Sequence, residues 1–298
     1  MGADAIIEGI RNETRRGASD VVRDALLAYE AAVDESPAGM TSLRVARAAR
    51  ALVDAQPAMA PLFALACSVL RAADSPPEAA GPAVRQALRE FATRLDRIAR
   101  EVPERAEGLV PAGGRVLTLS ASSTVRRALC LAAARRTFDV VCLEGRPGME
   151  GRDMALSLAR KGIAVSITVD AACGAVVRDC DVVLVGADAI GDLGVVNKIG
   201  TRAAALLARR AGVPFYALAD TTKLLPAGWP QEVDDARPAA EVWSEAPPEI
   251  AVWNRYFEAT PLSYFDGVVT EDGLRTEADI ETLRGRLHVP APLREAAA

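Results

Sequence analysis

Over the first hundred positions apolar residues recur three and four apart, in segments 5–10, 21–33, 42–53, 59–73 and 83–98. That spacing lines one face of an α-helix. Gly17-Ala18-Ser19-Asp20 supplies N-cap candidates before Val21, and Ser75-Pro76-Pro77 interrupts the run. Residues 1 to about 107 therefore predict a helical region without an evident repeat. The pattern changes at Pro111-Ala112-Gly113-Gly114. Beyond it, short β-branched runs at 115–119, 140–143, 164–169, 181–185 and 214–218 alternate with helical stretches at 123–135, 151–161, 171–177 and 199–211. Strands rich in Val, Leu and Ile, each followed by a helix, predict a mostly parallel sheet buried on both faces.

The fold class read from this pattern is α/β. A helical N-terminal domain, residues 1–110, precedes a Rossmann-like, mostly parallel sheet with helices on both faces, residues 111–298. Ligands of such sheets bind beyond the carboxyl ends of the strands, where the strand order switches. Those ends are 118–120, 144–146, Asp170, 186–188 and 219–223, and polar residues gather there. Gly186 permits a tight turn that projects Asp188, although a lone Asp at such a place serves equally as a cap. Asn197-Lys198-Ile199-Gly200-Thr201 follows closely and reads as the opening of a helix, where N–H groups, the dipole and Lys198 would face an anion. Ser120-Ala121-Ser122-Ser123-Thr124 suits a phosphate or a plain helix cap. Arg146 either forks onto a phosphate or pairs with Glu144.

Composition narrows the chemistry. Half of the residues are hydrophobic but only 4% are aromatic, so Ala, Val and Leu must fill the core. The net charge of −5, with both signs interspersed, offers no footprint for nucleic acid or an anionic membrane, and neither is expected as a partner. The first twenty residues are polar and charged, unlike a signal peptide, and no apolar run approaches the ~20 residues of a membrane span. A soluble, cytoplasmic protein is expected. Cys67, Cys130, Cys142, Cys173 and Cys180 form no CxxC pair and predict buried, reduced thiols, with Cys173 left open as a strand-end site residue. No G-x-G-x-x-G follows a strand and no P-loop is present, so no cofactor is expected, and the lone His288 argues against a Ser-His-Asp or Cys-His hydrolase. Lysine occurs only at Lys161, Lys198 and Lys223 against an arginine-rich background. A GC-rich genome alone gives such a bias; the functional alternative is a need at the retained lysines for a compact charge, which arginine's planar fork does not copy.

Taken in order, Arg16-Gly17-Ala18, 117–124, Glu144-Gly145-Arg146-Pro147, Gly186-Ala187-Asp188, 197–201, Pro214-Phe215-Tyr216 with Lys223, 254–261 and 270–273 resemble one family. It unites the α, β and δ subunits of eukaryotic initiation factor 2B with methylthioribose-1-phosphate isomerase and ribose-1,5-bisphosphate isomerase. The resemblance implies a homodimer or larger homo-oligomer and a sugar or nucleotide phosphate as ligand. In the isomerases it implies a catalytic cysteine after the first strand and an aspartate in the Gly-Ala-Asp segment. Asp188 matches the aspartate, while the cysteine position falls on Ser120, a far weaker acid than a thiol.

Two readings follow. One is an aldose–ketose isomerase for a phosphorylated ribose-type sugar, with Asp188 and Ser120 catalytic. Arg16, Gly17, Ser122, Arg146, Asn197, Lys198 and Lys223 would then bind the substrate. The other is a non-catalytic, initiation-factor-like regulatory or assembly protein that keeps the pocket. Asp188 and Lys198 favour the first, and Ser120 favours the second.

Overall fold

A computed structural model describes every residue except 14, 15, 38, 232, 234, 235 and 295–298. Five helices open the chain: α1 (Ala3–Arg11), α2 (Ala18–Asp34), α3 (Thr41–Ala55), α4 (Ala60–Ala73) and α5 (Pro77–Ala106). The predicted caps shift slightly. Gly17 is the N-cap of α2, while Ser19 and Asp20 lie inside its first turn. α4 is the most apolar of the five, and Leu62, Leu65, Ala66 and Val69 are all buried within the helical core. α5 joins two cores. Val84, Leu88, Phe91 and Leu95 pack with the helices, and Ile98, Val102 and Ala106 pack on the sheet.

The sheet region begins with β1 (Arg115–Leu119), α6 (Ser123–Ala133), β2 (Asp139–Leu143), α7 (Glu150–Ala159) and β3 (Ala164–Thr168). After the short α8 (Cys173–Val176) come β4 (Val182–Val185), β5 (Ala189–Gly191), β6 (Gly194–Lys198), α9 (Thr201–Ala211) and β7 (Phe215–Leu218). The chain continues through β8 (Phe257–Thr260), β9 (Gly267–Thr270), β10 (Gly273–Arg275), α10 (Glu277–Gly285) and α11 (Ala291–Arg294).

Seven strands form the central sheet in the order β10-β9-β7-β4-β1-β2-β3, parallel except for β10. The chain runs outward from β1 to β3 on one side, then returns to β4 on the other, so the switch in order lies between β1 and β4. Both strands are buried along their apolar residues, as parallel strands covered on two faces must be. This is the predicted α/β architecture.

The structure corrects one prediction here. Asn197 and Lys198 do not open a helix; they end β6 in a separate antiparallel sheet, β5-β6-β8. Gly194 explains why this hairpin forms. Its φ is +101, and a Cβ there would stand 2.1 Å from the Thr260 carbonyl oxygen, so only glycine lets β6 run against β8. Ala189 and Val196 of the small sheet are buried in the helical core, which ties that core to the strands. No helix among the described residues is long and apolar enough to cross a membrane.

Candidate active site

At the switch point the ends of β1 and β4 face the start of α2, the end of β6 and the start of β8, and these elements enclose a cleft. Eight of the nine sequence-nominated residues line it: Asp188, Ser120, Arg16, Gly17, Ser122, Asn197, Lys198 and Lys223. Arg146 does not. Its guanidinium reaches the Val242 carbonyl at 3.1 Å, and its backbone N–H donates to Asp170 at 2.7 Å. Asp170 also accepts from Gly145 N–H at 2.8 Å, so this strand end braces its own loop instead of holding a ligand. Glu144 pairs with Arg152 at 3.2 Å.

Asp188 lines the cleft. Its backbone N–H donates to Val196 at 2.8 Å, and its carbonyl accepts from Ala60 N–H at 3.2 Å, which fixes the segment between β6 and α4. The side chain faces Ala18 N–H as a donor, with Lys223 and Lys198 nearby. Burial nevertheless dominates and pushes the carboxyl above its ordinary value, because desolvation disfavours the charged form. Asp188 thus gives up its proton at a higher pH than a free aspartate does.

Lys223 is 4% exposed and sits in a single turn, Thr221–Lys223, capped by Asp220. Glu271, which is buried, and Arg94 hold Thr221 from two sides, through Thr221 N–H at 3.0 Å and its hydroxyl at 2.7 Å respectively. Lys198 is equally buried. Its Nζ lies 2.9 Å from Glu150 Oε1 and 5.1 Å from the centre of the Tyr256 ring. The Arg237 guanidinium approaches the same ring at 4.7 Å, and the Tyr256 hydroxyl donates to Glu241.

Ser120 takes the left-handed conformation, φ 62, where β1 turns towards α6. Its hydroxyl donates over a long 3.4 Å to Glu150 Oε2. Ser122 is the N-cap of α6 and accepts from Val125 N–H at 3.3 Å. Gly186 is required opposite it, since a Cβ there would lie 2.7 Å from the Ser122 hydroxyl. The helix start proposed for phosphate at α9 is already filled. Glu258 Oε1 accepts from Gly200 N–H at 2.7 Å and Arg202 N–H at 2.9 Å, neutralising that dipole end. Glu258→Ala should therefore lower stability by about 1 kcal/mol, as loss of an N-cap does, measured by denaturant unfolding. An unchanged midpoint would refute the capping role. Arg16 is likewise engaged, at 2.6 Å from both Glu13 and Asp24.

The initiation factor 2 subunit family matches residues 14–277 of this chain. The chain belongs to that family. A Pyrococcus furiosus protein named translation initiation factor eIF-2B subunit 2-like is 30% identical over 272 residues, covering 90% of this chain and 94% of its own. The ribose 1,5-bisphosphate isomerase of Archaeoglobus fulgidus is 31% identical over 275 residues, covering 89% and 87%. The crystal structure of the Pyrococcus horikoshii OT3 translation initiation factor eIF-2B superposes with a TM-score of 0.82 at 27% identity, covering 92% of this chain and 97% of that one. Relatives of the chain thus include both a sugar-phosphate isomerase and initiation-factor-like proteins.

In this family member no cysteine lines the cleft. Cys173 is buried beside Val177 and Cys180 in the sheet core, and burial pushes its thiol up to about 11, so the site role left open for it falls away. The cleft also holds residues that no sequence motif marks, chiefly Glu150, Tyr256, Arg237, Glu13 and Gln56. Tyr256 lies in the 254–261 segment that carried the resemblance without a role. Gln56 Nε2 donates to the Ile10 and Glu13 carbonyls at 3.0 and 2.9 Å, holding the end of α1 beside the cleft. Neither Gln56 nor Glu150 belongs to a recognisable motif.

Proposed function

We propose that this family member is an aldose–ketose isomerase acting on a phosphorylated ribose-type sugar, with ribose 1,5-bisphosphate the first substrate to test. The observation that carries this reading is Asp188. Its carboxyl is raised above its ordinary value by burial, with two buried lysines near it, at the switch point of a parallel sheet.

The chemistry requires such a group. An aldose phosphorylated at O1 cannot open its ring through a free hemiacetal. The ring oxygen must instead receive a proton as the C1–O bond breaks. A protonated carboxyl can supply it, and Lys223 and Lys198 can offset phosphate charge. The N-terminal turn of α6, with Ser122 and Ser123 in the cleft wall, offers N–H groups to a phosphate oxygen. The A. fulgidus relative's name supports the substrate class.

Lys223 tests the binding half of this reading. A charge-assisted hydrogen bond is worth about 1.5–3 kcal/mol, so Lys223→Met should weaken ribose 1,5-bisphosphate binding roughly 10- to 100-fold by calorimetry. Unchanged affinity would remove Lys223 from the phosphate site.

One observation favours a second reading. Ser120 stands where the resemblance places a cysteine, and a hydroxyl is a poor proton donor or acceptor on its own. A ligand-binding regulatory or assembly subunit, like the eIF-2B-like relatives, would bind a sugar or nucleotide phosphate in the same cleft and turn nothing over.

A further inference from the structure

An acid alone does not isomerise a sugar; a second group must take the proton from C2. The weakness of Ser120 makes the identity of that group the central question for the cleft. Its wall contains a carboxylate that no motif announced, and the loop before α7 is built around it. A Cβ on Gly148 would lie 2.2 Å from Glu150 Oε1, and one on Gly145 would lie 3.2 Å from Oε2. Gly151, the next residue, would place a Cβ 2.0 Å from the Leu143 carbonyl oxygen. Met149, immediately before Glu150, adopts φ 60. Gly145 and Gly148 thus clear the space in which this side chain stands, while Gly151 lets the start of α7 lie close on β2.

Its partners fix both oxygens. Lys198 holds Oε1 at 2.9 Å and the Ser120 hydroxyl reaches Oε2 at 3.4 Å. A carboxylate has about four acceptor positions, so these two contacts leave capacity for a proton from a ligand. Asp188 lines the same cleft. The cleft thus holds two carboxyl groups, Asp188 near Lys223 and Glu150 paired with Lys198, enough for one acid and one base.

We propose that Glu150 is the proton-accepting base of this cleft, with Ser120 orienting it and Asp188 as its acid counterpart. The proposal rests on the isomerase reading and completes it. Asp188 gives its proton to the ring oxygen as the C1–O bond breaks. Glu150 removes the proton from C2, and that C–H electron pair becomes the C1=C2 double bond of an enol phosphate. Asp188, now a carboxylate, then takes the proton from the C2 hydroxyl. The C2=O bond forms, and C1 recovers a proton from Glu150. Both carboxyl groups end as they began, and no oxidant, reductant or co-reactant enters.

The test uses the full chain with ribose 1,5-bisphosphate. Glu150→Gln should reduce turnover roughly 10²- to 10⁴-fold, the usual worth of a general base, while the calorimetric Kd stays within about threefold. Formate added to Glu150→Ala should restore part of the rate, which a merely structural ion pair with Lys198 would not allow. Wild-type turnover with Glu150→Gln retaining the rate within about fivefold would overturn Glu150 alone. Loss of both binding and turnover, without formate rescue, would also overturn it by assigning Glu150 a structural role. Absence of wild-type turnover despite tight binding would overturn the isomerase reading and the base together.

Discussion

Asp188→Asn is expected to abolish turnover of ribose 1,5-bisphosphate while leaving the sugar phosphate bound. The amide keeps the shape and can still accept from Ala18 N–H, but it has no proton to give the ring oxygen. Loss of a positioned general acid should cost roughly 10²- to 10⁴-fold in kcat. The same variant has a signature independent of activity. Burial raises the Asp188 carboxyl above its ordinary 3.8, so the folded protein keeps this proton to higher pH than the unfolded chain does. Between those two values the native state binds more protons, and its stability must fall as pH rises. The contribution is fully present below the unfolded value and lost on passing the raised one. Asp188→Asn lacks that loss. Its Tm should therefore gain on the wild type as pH climbs from about 4 towards neutrality. A Tm difference independent of pH over this range would contradict a buried, proton-retaining Asp188.

The second large effect is structural. Gly151 is the second residue of α7, packed so closely on β2 that an added Cβ would meet the Leu143 carbonyl oxygen at 2.0 Å and Glu144 backbone carbon at 2.9 Å. Backbone cannot yield as a flexible side chain does, so α7 must move away from the strand. Gly151→Ala should lose about 3 kcal/mol or more, equivalent to a Tm drop of roughly 6–12 °C for a chain of this size. Because Glu150 is the adjacent residue, the displacement should also separate its carboxylate from Lys198 and Ser120. Scanning calorimetry beside a ligand-binding isotherm would show both losses. A Tm within about 1 °C of wild type would mean that the helix has room the packing denies it.

Most of the architecture was legible because burial leaves a periodic trace. β1 and β4 are covered on both faces and read as unbroken apolar runs, and the N-terminal helices show their three- and four-residue spacing. The small sheet left no such trace. β5 has three residues and β8 four, too few to establish a period of two, and the turn at Asp192-Leu193 resembles any polar loop. Missing β6 also misplaced the anion site, since Lys198 was credited to a helix start that Glu258 in fact occupies.

The strand-end rule brought Asp188, Ser120, Ser122 and Lys223 together, but it cannot say where a side chain turns. Arg146 leaves the same strand ends and points instead at the Val242 carbonyl. Glu150 was invisible for the opposite reason. Its significance comes from Lys198, 48 residues away, and from the close approach of Gly145 and Gly148, which only the folded loop reveals.

Sugar-phosphate isomerisation by this cleft depends on Asp188, the acid at the switch point. Its most direct test is to incubate the purified protein with ribose 1,5-bisphosphate and follow the phosphorus resonances by NMR. The account predicts conversion to ribulose 1,5-bisphosphate by the wild type and none by Asp188→Asn. Saturable binding with an unchanged aldose spectrum, in wild type and variant alike, would contradict it.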